Sequence, residues 1–172
     1  MKNEVVRRIA ANAIVAALYF ALVAASIPLS FNMLQIRIAE FLVLLCFFRK
    51  DFIVGVTVGT LLANVFSTML PWDLIFGTLA TLIAATGVAF CRHLLVAAFI
   101  PVIANGFIVA GELYVLVPEI ASEYSYFAVA GFVAAGEAIA VIVLGYSLMM
   151  ILHRIPKFNE VIGANQNLDF KW

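Results

Sequence analysis

One stretch of the sequence decides the fold: Pro101–Val117, which reads PVIANGFIVAGELYVLV. It is apolar enough to lie in lipid, yet it contains Asn105 and Glu112. Because an α-helix has about 3.6 residues per turn, these two positions share one face, about two turns apart. A carboxylate at membrane depth is costly and usually faces a bundle interior or a water-filled cavity. The stretch therefore predicts a membrane helix that turns a polar face into a bundle.

The composition of the whole chain is that of an integral membrane protein. Of its 172 residues, 66% are hydrophobic and 12% are charged, whereas soluble domains are roughly half apolar and a quarter charged. The length suits one bundle rather than two domains of ordinary size. The formal net charge is zero, and no basic patch indicates a nucleic-acid partner.

Six apolar segments are candidate membrane helices, since a spanning helix needs about 20 mostly apolar residues, or fewer where it is shielded. The fold class expected is therefore an all-α integral membrane protein, a six-transmembrane-helix bundle over residues 1–156 with a polar cytoplasmic tail at residues 157–172. The six segments are about Ile9–Ile27, Leu34–Phe48, Phe52–Leu70, Asp73–Cys91, Leu94–Val117 and Tyr126–Leu152.

The basic residues predict the orientation, because Lys and Arg concentrate in cytoplasmic loops. With six spans they fall before the first helix and after the second, fourth and sixth, while the opposite loops contain none. Both termini are therefore expected in the cytoplasm, and the protein is expected as a multi-pass protein of the cell membrane. The basic residues on this side are Lys2, Arg7, Arg8, Arg49, Lys50, Arg92, Arg154, Lys157 and Lys171.

Acidic residues gather on the opposite, outer side. Six of them fall in outer loops or outer helix halves. Arg37 is the one basic residue that the predicted topology places on that side. Glu119 and Glu123 fit solvated loop carboxylates. The other polar residues come from helices two to six at similar depth, which predicts one outward-facing pocket. This candidate binding set is Arg37, Glu40, Asn64, Asp73, Asn105, Glu112 and Glu137.

Most members of this set also have a structural interpretation. Arg37 and Glu40 are three positions apart, the spacing of an ion pair along a helix. Asn64 and Asn105 suit hydrogen bonds between helices. Asp73 follows Pro-Trp at the start of the fourth helix and suits its N-cap.

Glu112 and Glu137 are harder to explain by structure alone. If Arg37 pairs with Glu40, no base is left for either carboxylate in the outer half. A carboxylate in that position is protonated, hydrated or matched by a ligand. The sequence therefore favours ligand contact for these two.

The first helix carries small residues at a regular spacing. Ala13, Ala17, Ala21 and Ala25 recur every four positions, a pattern that lets another helix approach closely. Two interpretations are open at this point: packing inside the bundle, or a docking face for another membrane subunit.

Motifs for catalysis or energy coupling do not occur in the sequence. There is no GxxxxGK[ST] loop for ATP and no HExxH metal motif. No Ser/His pair falls at one membrane depth. The sequence therefore predicts neither an enzyme nor a metal or cofactor site. It predicts an outward-facing pocket in a chain without an energy-coupling motif of its own.

Five motifs resemble those of the QueT family in their order and spacing. Members of this family are substrate-binding S components of energy-coupling factor (ECF) transporters. The resemblance extends over about Arg7–Leu152, nearly the whole apolar part. The motifs are QIRIAEF at Gln35–Phe41, ANVFS at Ala63–Ser67, DLIFGTLATLIAA at Asp73–Ala85, NGFIVAGEL at Asn105–Leu113 and GEAIAVIVLG at Gly136–Gly145.

The resemblance implies a six-helix protein that captures a queuosine precursor from outside, a 7-deazaguanine base such as 7-aminomethyl-7-deazaguanine, or queuine. It implies docking through Ala13, Ala17 and Ala21 on a transmembrane T component that works with two ATPase subunits. Transport would proceed by toppling of the loaded protein in the membrane.

The chemistry of such a base suits the candidate residues. A carboxylate accepts hydrogen bonds from the N–H edge of the base, and a cationic aminomethyl arm favours a second carboxylate. Glu137 and Glu112 would take these two roles, in an order that the sequence does not fix. Asn105 and Asn64 would contact the carbonyl edge.

Two other functions compete with this interpretation. The first is a self-sufficient proton-coupled carrier for a small polar or cationic solute, with Glu112 or Glu137 as the proton site; inverted repeats would support it, and none is apparent. The second is a membrane enzyme or a structural subunit without a transported ligand.

Overall fold

The computed structural model describes residues 2–27, 36–67 and 69–162, and within these ranges every regular element is a helix. We number the helices in chain order. They are α1 (Lys2–Ala25), α2 (Ile38–Phe48), α3 (Phe52–Phe66), α4 (Trp72–Phe90), α5 (Leu94–Leu116), α6 (Pro118–Glu123), α7 (Tyr126–Leu152) and α8 (Pro156–Ile162).

Within the described part of the chain, four helices are long and apolar enough to cross a membrane: α1, α4, α5 and α7. The shorter apolar helices α2 and α3 coincide with the other two predicted segments. An all-helical, membrane-type bundle is thereby confirmed. That α2 and α3 also cross the membrane, and that both termini lie in the cytoplasm, stay predictions.

The helix boundaries differ from the sequence expectation by more than two residues at three places. α1 begins at Lys2 rather than Ile9. α2 begins at Ile38, and the predicted start at Leu34 lies outside the described residues. α3 ends at Phe66 rather than Leu70, because its last residues form a 3₁₀ turn and Ser67 is extended.

Among the described residues, neighbouring helices pack in the order α1, α3, α4, α5 and α7, and α2 lies against all five and joins α7 to α1. Nearly all residues of α2 are buried, so it fills the inner side of this arrangement, which we call the ring. α2 begins, α4 begins, α5 ends and α7 begins at one end of this ring, which we call the pocket end. The interior of the ring at this end is where buried polar side chains collect.

Two glycines allow α1 and α3 to pack closely. A Cβ atom at Gly59 would lie 2.7 Å from Cβ of Tyr19, and one at Gly55 would lie 2.8 Å from the backbone oxygen of Asn12. The N–H of Gly55, in the first turn of α3, donates to the Asn12 side chain across 2.8 Å. This bond joins the start of α3 to α1.

Parts of α2 and α7 depart from α-helical geometry, and these parts pack against each other. α2 is a 3₁₀ helix over Ile38–Leu44, and α7 is a π-helix over Ile139–Tyr146. The two segments pack together, and a Cβ at Gly145 would lie 2.8 Å from Cβ of Phe41. Such departures from α geometry are uncommon and often occur at functional positions.

Contacts of charged side chains stabilise the loop between α2 and α3. The Arg49 guanidinium donates to the Asp51 carboxylate through two nitrogens and lies 4.4 Å from the ring centre of Phe52. The hydrogen bond from Arg49 lowers the pKa of the Asp51 carboxyl. Asp51 also receives a hydrogen bond from Asn12, at 3.4 Å, which ties this loop to α1.

Candidate functional site

A small pocket opens inside the ring between α2, α5 and α7. Its empty volume is about 240 Å³, part of which is open to solvent. The enclosed part of this space is small, so a molecule the size of a heterocyclic base enters only if the pocket opens. Its lining residues are Arg37, Glu40, Asn105, Val109, Val133 and Glu137.

Glu40 is fixed by donors from two other helices. One carboxylate oxygen accepts hydrogen bonds from the Tyr19 hydroxyl of α1 at 2.5 Å and the Thr81 hydroxyl of α4 at 3.2 Å. The guanidinium of Arg37 lies 3.9 Å from the same oxygen, which agrees with the predicted ion pair. Glu40 is 1% exposed.

The second carboxylate oxygen of Glu40, Oε2, accepts no hydrogen bond from any described residue. A buried acceptor without a donor costs about 1–3 kcal/mol, and more where the group is charged. Glu40 is thus held in one orientation while half of its acceptor capacity is unused.

Asn105 and Glu137 form the deep wall of the pocket. The amide nitrogen of Asn105 donates to a carboxylate oxygen of Glu137 across 2.7 Å, and both side chains are buried. Glu137 also lies close enough to Glu40 for the two charges to repel. Two carboxylates and the guanidinium of Arg37 therefore face one small space, in which an N–H-rich guest would supply further donors to the carboxylates.

Glu112 is buried without a donor. It lies on the same face of α5 as Asn105 and Val109, and neither carboxylate oxygen receives a hydrogen bond within the described ranges. Asp73 and Arg37 are the charged groups that act on it. Glu112 does not line the pocket itself but continues its α5 wall towards the pocket end.

Asn64 and Asp73 lie beside the pocket rather than in its lining. The Asn64 amide donates to the backbone oxygen of Asp73 at 2.8 Å and to the Thr78 hydroxyl at 3.3 Å. A Cβ at Gly77 would lie 2.9 Å from the Asn64 amide nitrogen, so the glycine makes room for this side chain. The interpretation of Asn64 as a residue that joins helices is supported by these bonds.

The interpretation of Asp73 as an N-cap is wrong. α4 begins at Trp72, so Pro71 holds the cap position and Asp73 is the second helical residue. Its carboxylate accepts a hydrogen bond from Ser67 instead. The position still suits a carboxylate, because the first turn of a helix is electropositive.

Sequence reasoning missed the residues that position Glu40, namely Tyr19 and Thr81. Both are completely buried. A buried Tyr hydroxyl usually finds a hydrogen-bond partner, and Tyr19 is the one tyrosine in the apolar run Ile9–Ile27. That signal could have placed α1 against an acceptor.

The alanines at Ala13, Ala17 and Ala21 are exposed on the surface of the bundle. α1 contacts its neighbours through a different face, which includes Asn12 and Tyr19. Of the two open interpretations, packing inside the bundle is therefore wrong for these three alanines. Docking on another subunit stays a prediction.

Within residues 2–27, 36–67 and 69–162, no group of three or more His, Cys, Asp or Glu side chains is arranged to hold a metal ion.

The family model described as QueT transporter matches residues 9–154, most of the chain. The chain belongs to the QueT transporter family. Its members are transporters rather than enzymes, and the resemblance seen in the five sequence motifs is confirmed. No curated protein and no solved structure matches the chain.

Proposed function

We propose that this QueT-family protein is the substrate-capturing S component of an energy-coupling factor importer in the cell membrane. The pocket between α2, α5 and α7 would take up a queuosine precursor of the 7-deazaguanine class. The observation that carries the proposal is the pair of buried carboxylates, Glu40 and Glu137, that line one small pocket inside the bundle.

The donor pattern of a 7-deazaguanine suits these walls. Its base edge presents ring N–H groups and an exocyclic amine, which carboxylate oxygens accept in pairs. Glu137 supplies such oxygens beside the Asn105 amide, and Oε2 of Glu40 has no donor among the described residues. The apolar side chains of Val109 and Val133 would flank the flat ring.

Burial gives this recognition its strength. An unpaired polar group in an apolar interior costs about 2–7 kcal/mol, depending on the reference state. A ligand that supplies the missing N–H donors removes that cost, whereas a purine with its donors elsewhere does not. Selectivity for the deazaguanine edge follows from this difference.

The exposed alanines of α1 supply the second part of the proposal. Ala13, Ala17 and Ala21 form a surface that another helix can approach closely. We assign this surface to the transmembrane T component, whose two associated ATPase subunits would provide the energy. The loaded protein would then topple in the membrane and release its cargo inside.

Native mass spectrometry of the purified protein tests the capture step. A co-purified base with the mass of a 7-deazaguanine supports the proposal. Protein that stays free of any such base, even after incubation with 7-aminomethyl-7-deazaguanine, contradicts it.

A second candidate function is a proton-coupled carrier. The buried carboxyl of Glu112, without a hydrogen-bond donor among described residues, is a suitable proton site. Reconstitution in liposomes discriminates the two functions. Uptake by this chain alone, driven by a pH gradient, favours the carrier; uptake that requires ATP and the other subunits favours the S component.

A further inference from the structure

A second pair of carboxylates lies beyond the pocket lining, nearer the pocket end of the bundle. Asn105, Val109 and Glu112 follow one another at spacings of four and three, so the α5 face that lines the pocket continues to Glu112. Along the helix, Glu112 is about 10 Å from Asn105. Asp73, in the first turn of α4, faces Glu112 at this level.

Negative charge is in excess at this level. Glu112 is 4% exposed and Asp73 is 5% exposed. Arg37 is the cation that acts on both of them, and it also acts on Glu40 and Glu137, so one guanidinium is shared by four carboxylates. Ser67 donates one further hydrogen bond, to Asp73.

The hydrogen-bond state of Glu112 points to a ligand. Both of its carboxylate oxygens are buried and have no hydrogen-bond donor within the described part of the chain, and the side chain in hydrogen-bonding reach is a second carboxylate, Asp73. A buried ionised carboxylate without donors is unstable in an apolar bundle unless a cation joins it. The site therefore has two open acceptor oxygens beside a second carboxylate.

We propose that Glu112 and Asp73 form a subsite for an organic ammonium group of the substrate, separate from the Asn105–Glu137 wall that contacts its heterocycle. The proposal rests on the proposed function for the identity of the heterocycle. An ammonium has three N–H donors, which matches the two open oxygens of Glu112 together with the Asp73 carboxylate. Hydrogen bonds between ionised partners are roughly twice as strong as neutral ones.

The geometry also fixes which carboxylate takes which part of the substrate. Glu137 already accepts from the Asn105 amide, so the pair presents a flat surface of mixed donors and acceptors. Such a surface suits the edge of a heterocycle. Glu112 accepts no hydrogen bond from an amide among the described residues, and its neighbour Asp73 is also a carboxylate, which suits a cation.

The test compares two ligands that differ in charge at one position. Isothermal titration measures the affinities of 7-aminomethyl-7-deazaguanine and of the neutral 7-cyano analogue for wild-type protein, Glu112→Gln and Asp73→Asn. Glu119→Gln, in the exposed turn of α6, is the matched control. Elution profile and unfolding midpoint establish that each variant is folded.

We expect Glu112→Gln to weaken binding of the aminomethyl ligand about 10- to 100-fold, the equivalent of lost charge-assisted hydrogen bonds. The cyano ligand should change less than about threefold, since its arm carries no charge to lose. Glu119→Gln should change neither. Equal losses for both ligands, or no loss for the aminomethyl ligand, would overturn the ammonium subsite; the second outcome would identify Glu112 as a protonated side chain that Gln replaces.

Failure of the proposed function has a different signature, namely that neither base binds wild-type protein. The subsite is then decided by thermal unfolding in ethylammonium chloride against sodium chloride at equal ionic strength. Ethylammonium that raises the midpoint of wild-type protein but not of Glu112→Gln supports the subsite, since a ligand stabilises the state that it binds. Identical midpoints in both salts would overturn it.

Discussion

Asn105 donates its side-chain N–H to the Glu137 carboxylate across 2.7 Å, and this bond joins α5 to α7 at the deep side of the pocket. Asn105 lies 11 residues before Leu116 and Glu137 lies 11 residues after Tyr126. Each is therefore about 16 Å of helix from the pocket end. Because the two helices run in opposite directions, the equal offsets bring the side chains to one depth.

Tyr19→Phe removes the hydroxyl that donates to Glu40. We expect a loss of about 1–3 kcal/mol in stability, because a buried carboxylate oxygen loses a donor. Substrate affinity should also fall, since Glu40 is no longer held in one orientation. Thermal unfolding in detergent and ligand titration measure the two effects. Tyr146→Phe is the control, because Tyr146 lies outside the pocket; equal effects of the two substitutions would contradict the role of Tyr19.

Gly59→Ala tests the close contact of α1 and α3. The new Cβ would meet Cβ of Tyr19 at 2.7 Å, and overpacking of this kind costs about 1–3 kcal/mol. Gly131→Ala is the matched control in α7, where a Cβ has nothing within 4 Å. There the helix propensity of alanine should raise stability by about 0.5–1 kcal/mol. Unfolding midpoints that shift in the same direction would show that α1 and α3 are further apart.

Asp51→Asn tests the charge contacts of the α2–α3 loop. The pKa of Asp51 is lowered in the folded protein by the hydrogen bond from Arg49. A lowered pKa stabilises the fold above the unfolded value of about 3.9, and the contribution disappears as pH falls through the lower folded value. The variant should therefore unfold slightly earlier than wild type at pH 7 and at the same temperature at pH 2. A difference that persists at pH 2 would assign the effect to packing.

Ala17→Trp tests the alanine surface of α1. A bulky ring should prevent close helix approach and abolish ATP-dependent uptake in cells that contain the coupling subunits, while ligand binding to the purified protein is unchanged. Ile14→Trp is the control, since Ile14 is exposed on α1 but outside the alanine stripe. Full uptake by the Ala17 variant would remove the stripe from the docking surface.

The sequence predicted much of the fold. The lengths of the apolar runs and the basic residues that separate them predicted six segments, and all six contain helices in the structure. The π-helix at Ile139–Tyr146 could not be predicted, because an almost wholly apolar run has no periodicity that separates π from α geometry. The 3₁₀ form of α2 escaped prediction for the same reason.

The sequence could predict those site residues whose position depends only on their depth in the membrane. Glu40, Asn105 and Glu137 were expected together because they lie at comparable depth on different helices, and the pocket contains all three. Asp73 and Asn64 shared that depth, yet their hydrogen bonds tie α3 to α4, which depth alone does not reveal.

Titration of purified protein with 7-aminomethyl-7-deazaguanine tests the central claim most directly, namely that buried carboxylates in the ring bind this class of base. We predict saturable binding to wild-type protein and to the Glu119→Gln control, and a loss of about tenfold or more for Glu137→Gln, which cannot present a charged acceptor. Undiminished affinity in Glu137→Gln, or no binding to wild-type protein, would contradict the claim.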